Sequence, residues 1–162
     1  MLKKSVEDAL NKQLNAEMYS SYLYLAMSAY MDSVSLRGFG KWLRIQAREE
    51  LAHAMKFYDY IIEAGGTVRL TAIEAPKTPW KSAGAVFEQV FAHEQKVTGL
   101  INGIMDIAVK EKDYATQNFL GWFVKEQVEE EANASEIMAK ISMIGEVPGH
   151  LFWLDHELGK RE

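Results

Sequence analysis

The chain has 162 residues, 48% of them hydrophobic, a net charge of −5 and no cysteine. That length suits one domain with a sizeable core, and the lack of thiols excludes disulfides, thiolate zinc sites, iron–sulfur clusters and thiol redox chemistry. A mildly acidic chain with no basic cluster and no long apolar run argues against nucleic-acid and membrane partners, and residues 1–8 turn acidic where a signal peptide would become apolar, so a cytoplasmic protein is expected.

Glycine and proline gather at 65–84 and 145–149, and helix formers fill the rest. The periodicity predicts an all-α fold with helices at roughly 5–32, 36–64, 83–111 and 114–144, and a short fifth at about 148–158. Ser35 and Asp113 are expected N-caps, Gly65 an expected C-cap, and Pro148 suits a first helical turn. Short connections make two antiparallel hairpins, of helices one and two and of three and four. The connection at 65–82 is longer. A 28-residue helix is about 42 Å long, and 18 extended residues reach about 59 Å. A crossover can therefore run the length of a four-helix bundle, with Thr67–Leu70 extended along its outside and Pro76 and Pro79 resisting helix.

Each long segment carries a seam of residues spaced four and three apart, the side a helix turns to its partners. The seams are apolar toward their ends and polar at the middle: Glu17, Ser21 and Tyr24; Gln46, Glu50 and His53; Glu94 and Thr98; Gln127 and Glu130. The spacing repeats. Glu17 is followed 33 residues later by Glu50 and 36 later by His53, and Glu94 by Gln127 and Glu130 at the same intervals. An offset of 77 relates the two sets and maps Glu49 onto Glu126.

Acids such as Glu7, Asp8, Glu63, Glu111 and Glu157 need no more than a solvated face. Buried acids need protonation, a basic partner or a metal, because burying an unpaired ionised carboxylate costs several kcal/mol. The seams hold no Arg or Lys. Protonating Glu17, Glu50, Glu94 and Glu130 together would need shifts of about 3 pKa units each. Metal coordination is the remaining solution, and oxygen-rich ligands with one imidazole suit iron or manganese better than zinc. A metal-free polar network that only sets bundle register is the bland alternative. Tyr24, two turns beyond Glu17, is either a core tyrosine or an electron donor or hydrogen-bonding partner. Trp122 reads as packing, His93 as lying outside the metal ligands, and His150 and His156 as surface or subunit contacts. Leu151, Leu154 and Leu158 form an apolar stripe on a segment too short to stand alone, so it must bury either on its own bundle or against other subunits.

With these residues in view the whole chain resembles the non-haem ferritins of bacteria and archaea. The resemblance rests on residues 14–24 (LNAEMYSSYLY), 49–54 (EELAHA), 93–95 (HEQ), and on 118–122 (NFLGW) running into 126–131 (EQVEEE). It implies a first iron site at Glu17, Glu50 and His53, with Glu50 bridging to a second at Glu94 and Glu130, and Gln127 hydrogen-bonding beside it. It also implies a weaker third site at Glu49, Glu126 and Glu129, with Glu130 contributing. The departures exclude relatives. Gln127 and Glu130 stand where bacterioferritins carry a second ExxH, and Leu51 stands where they carry a haem-binding methionine, so no haem is expected. Rubrerythrins need cysteine, and small Dps-type cages draw ligands from a subunit interface.

The resemblance implies a ferroxidase that oxidises Fe²⁺ with O₂ or H₂O₂ at a di-iron centre and stores ferric mineral in a 24-subunit homo-oligomeric shell. The alternatives are a di-iron or di-manganese peroxidase or catalase on a small oligomer, and a metal-free helical interaction module.

Overall fold

The computed structural model describes residues 2–145 and 147–162. Five helices follow in order: α1 (Lys4–Ser33), α2 (Arg37–Glu63), α3 (Ala83–Lys110), α4 (Tyr114–Ile144) and α5 (Pro148–Leu158). No strand occurs among the described residues. The expected boundaries agree to within one or two residues, because the punctuation is strong. Gly65, at φ +76°, follows the last residues of α2, and the amides of Gly65 and Gly66 close back onto Ile62 and Ile61 carbonyls. That is the double bond of a glycine-terminated helix. Asp113 caps α4 by accepting from the Thr116 amide.

Ser35 is not the cap expected for α2. Its own backbone is left-handed at φ +65°, its amide bonds the Asp32 carbonyl, and α2 starts without a side-chain cap at Leu36. The three-residue connection between α1 and α2 is too tight to leave Ser35 in the extended conformation that capping needs. Ser82, not singled out from sequence, does cap α3 through the Ala85 amide.

The crossover runs the length of the bundle. At one end Asn11 donates to the Thr67 carbonyl and accepts from the Arg69 amide at 2.6 Å, while the Arg69 guanidinium bridges Glu7 and Asp8 of α1. Asn15 then holds the carbonyls of Thr71 and Ala72. At the other end Trp80 packs on Tyr30, near the end of α1, with ring centroids 5.7 Å apart. Residues 67 and 80 thus lie at opposite ends of one long helix, so α2 and α3 run parallel.

Two apolar clusters fill the ends of the bundle. One gathers Met27, Met31, Phe39, Leu43, Phe87 and Ile141 with Leu151 and Leu154. The other gathers Leu10, Leu14, Phe57, Ile61, Ile101 and Phe123. The polar seam residues lie between them.

The leucine stripe of α5 buries on its own bundle. Leu151 and Leu154 join the first cluster, and Asp155 accepts from the Phe39 amide at 2.9 Å. Gly38 makes this approach possible, since a Cβ there would lie 1.7 Å from the Asp155 carbonyl oxygen. The apolar residues that α5 leaves exposed are Phe152 and Trp153.

Candidate metal centre

Four helices deliver the polar level. Glu17 comes from α1, Glu50 and His53 from adjacent turns of α2, Glu94 from α3, and Gln127 and Glu130 from adjacent turns of α4. All six are buried, the acids at 6% exposure or less. Residues three apart on a helix share a face, so each ExxH-like pair enters the core as a unit.

Three groups of ligand atoms fall within 4.8 Å of one another: Glu17, Glu50 and His53; Glu50, Glu94 and Glu130; and His53, Glu126 and Glu130. Glu50 belongs to the first two groups. The arrangement can hold two cations side by side with Glu50 between them, while the group at Glu126 shares His53 and Glu130 with those two. Glu49 and Glu129 do not join that third group. The Glu49 carboxylate is held at 2.5 Å by Arg161. Glu129 is mostly exposed, with the Lys125 ammonium 4.0 Å away.

The acids are supported unequally. Glu94 accepts from the Tyr24 hydroxyl on one oxygen and from Gln127 at 3.1 Å on the other. Glu17 receives Gln13 at 2.7 Å on Oε1, while its buried Oε2 has no hydrogen-bond partner among the described residues. Gln46 donates both to Glu50 at 3.1 Å and to Glu130 at 2.7 Å. Gln13 and Gln46 support the site but were not singled out as site residues. Their signal was a helical offset of four before Glu17 and Glu50, which a glutamine needs to reach a carboxylate on its own helix.

Electrostatics restate the sequence argument. Burial, followed by the Glu50 charge, pushes the Glu17 carboxyl well above the usual range. Burial and the neighbouring Glu94 and Glu130 do the same to Glu50. Glu94 rises chiefly through burial, and Glu130 is pushed up to about 7 by burial and Glu94. Without a cation these carboxyls are therefore biased toward the protonated form. The orphaned Glu17 oxygen and the mutual repulsion are what divalent ions at the two sites would relieve. The donor set of carboxylates and one imidazole fits hard or borderline cations such as iron.

The aromatic shell is specific. Tyr24 is fully buried and bound to Glu94, which makes it a hydrogen-bonding partner rather than filler. Trp122 sits edge-on to the His53 ring at 5.3 Å and carries the Lys56 ammonium 4.2 Å over its own ring, so it packs directly on a candidate ligand. His93 contacts Ser20 at 2.8 Å, and burial lowers its pKa to about 4, leaving it neutral and outside the three ligand groups. His150 and His156 lie on α5, away from the centre.

A ferritin-like domain model matches residues 7–144. The chain is 44% identical over 161 residues to the bacterial non-heme ferritin of Bacteroides fragilis, covering 99% of this chain and all of that one. It is 42% identical to a probable bacterial non-heme ferritin-like protein of Haemophilus influenzae, covering 98% and 96% of the two chains. Among solved structures, an open pore ferritin from the hyperthermophilic archaeon Archaeoglobus fulgidus superposes with a TM-score of 0.98 at 49% identity, covering both chains completely. A bundle of this topology, with paired carboxylates meeting on four helices and relatives alike over the full length, makes the chain a member of the ferritin family, in its bacterial and archaeal non-haem branch.

Proposed function

We propose that this chain is a ferroxidase that stores iron: it oxidises Fe²⁺ at the intra-bundle centre and deposits ferric mineral inside a 24-subunit shell in the cytoplasm. The observation that carries the reading is Glu50, shared by two ligand groups in a buried site crowded with acids. Fe²⁺ is the substrate. Glu17, Glu50 and His53 bind one ion, and Glu50, Glu94 and Glu130 bind the other, releasing the protons those acids hold. Gln127 and Tyr24 orient Glu94, and Gln46 orients Glu50 and Glu130. Each Fe²⁺ gives up one electron. O₂ takes two electrons with two protons to leave as hydrogen peroxide, or hydrogen peroxide takes them to leave as water. The protein's part is to hold both ions at a bridged separation and to keep bulk water out.

The flanking acids Glu126, Glu49 and Glu129 serve a weaker third iron position through which product moves on. Exposed apolar side chains at Phe152, Trp153, Tyr22, Leu25 and Val128 suit subunit contacts, which a shell requires. Among the described residues no helix is long and apolar enough to cross a membrane. No haem is proposed.

Two measurements test this reading. Stopped-flow mixing of two Fe²⁺ per subunit with O₂ should give fast oxidation that Glu50→Ala abolishes; wild-type rates in the variant would remove Glu50 from the centre. Native mass separates storage from a peroxidase or catalase on a small oligomer. Twenty-four copies of an 18.4 kDa chain give about 440 kDa, and a dimer would sink the storage role.

A further inference from the structure

A cation held beside the acidic flank comes from the far end of the chain. After α5 ends at Leu158, the Gly159 carbonyl accepts from Lys41 at 2.9 Å and turns the chain back over α2. This delivers Arg161 onto a single face of α2. Its guanidinium lies 4.5 Å over the Trp42 ring, donates to the Gln46 side-chain oxygen at 2.9 Å and pairs with Glu49 at 2.5 Å. Trp42, Gln46 and Glu49 lie on successive turns, and the next residues along the same helix are Glu50 and His53. The same Gln46 that receives Arg161 donates to Glu50 and Glu130. An arginine clamped by an aromatic face and two acceptors is a fixed charge rather than a loose surface side chain.

We propose that Arg161 is a tethered counter-cation of the third acidic position, occupying Glu49 until iron displaces it. The inference rests on the ferroxidase reading above. It explains why Glu49 is absent from the ligand group of His53, Glu126 and Glu130 although it lies one residue from Glu50. A fixed positive charge beside the flank weakens a divalent cation there and favours its onward release. The buried pair lies beyond Gln46 and is affected less.

Anaerobic calorimetric titration of Fe²⁺ into the assembled protein tests this. Arg161→Gln should tighten the weaker class of iron binding roughly tenfold, the factor expected for removing a unit charge a few ångströms from a divalent ion even in water-like dielectric. In a Glu49→Gln background the same substitution should have little effect, because the partner is gone. Arg161→Lys keeps the charge but not the forked clamp and should tighten the weak class less than Arg161→Gln does. Unchanged weak-class affinity in Arg161→Gln, equal tightening in both backgrounds, or a tightening in Arg161→Lys as large as in Arg161→Gln would each overturn the proposal. A wild-type chain that takes up no iron would sink the functional reading and this inference together; uptake with an Arg161-independent weak class sinks only the inference.

Discussion

The two hairpins of this bundle are related by a 77-residue offset, and they carry the same ligand positions with different support. Glu17 and Glu94 correspond, yet Glu94 has donors on both oxygens and Glu17 has one oxygen bare. Tyr24, which serves Glu94 across the bundle, corresponds to Ile101, and Gln46, which serves Glu50 and Glu130, corresponds to Phe123. The first hairpin thus supplies the imidazole, the bridging acid and most of the polar support, and the second supplies acids already partly satisfied. An acid left unsatisfied needs a cation most. A cation at the proposed site of Glu17, Glu50 and His53 would satisfy the acid that has the fewer donors. The helix starts differ as well: α3 and α4 of the second hairpin have side-chain caps at Ser82 and Asp113, whereas α1 and α2 have none.

The largest effect expected is from removing the acid that joins the Glu17 and Glu94 ligand groups. Glu50→Ala should cut the fast phase of Fe²⁺ oxidation by at least 100-fold while the shell stays assembled. Stopped-flow absorbance and native mass read the two outcomes, and wild-type rates in the variant would remove Glu50 from the centre.

The next effect is on pH. Glu130 binds a proton up to about pH 7 in the fold, against 4.5 for an ordinary glutamate. The raised value favours the fold fully below about pH 4.5, and that contribution is lost as pH rises through 7. A shift of this size is worth about 3 kcal/mol. Glu17, Glu50 and Glu94 shift in the same direction. Metal-free protein should therefore melt higher at pH 5.5 than at pH 8, and a saturating redox-silent divalent cation should remove the difference. A melting temperature that rises with pH in the metal-free protein would contradict the burial argument.

Tyr24→Phe attacks the support unique to the second hairpin's acid. It strips a donor from buried Glu94 and should cost about 1–3 kcal/mol, with slower oxidation. Gln13→Leu is the matching change for Glu17 and sharpens the comparison, because Glu17 would then lose its remaining donor among the described residues. If denaturation midpoints and oxidation rates respond to neither change, the hydrogen bonds do not differentiate the two halves.

The smallest effects lie at the helix ends. Asp113→Ala should cost about 1 kcal/mol as a lost cap. Ser35→Gly should stabilise by roughly 1 kcal/mol, since a left-handed backbone suits glycine better than serine. A Ser35→Gly variant that loses stability in urea would restore serine as a cap.

Much of the buried polar cluster was legible in the sequence. Carboxylates at seam positions are conspicuous, because the seam is otherwise apolar and the helical period places Glu50 with His53 and Gln127 with Glu130 without ambiguity. Helix ends were legible where glycine or an acid marks them, as at Gly65 and Asp113, and misread at Ser35, where a tight turn overrides the side chain's capping preference. The length of the 65–82 connection was enough to predict its crossover. Long-range partners were not legible. Sequence periodicity places a residue on a face but not opposite another residue 70 or 115 positions away. Only the packed bundle pairs Tyr24 with Glu94, leaves Glu17 half-satisfied, sets Trp122 on His53, sinks the leucines of α5 against Gly38, and returns Arg161 to Glu49. The local code is carried by each helix alone, and the division of labour between the two hairpins arises when side chains from separate helices compete for the same buried donors.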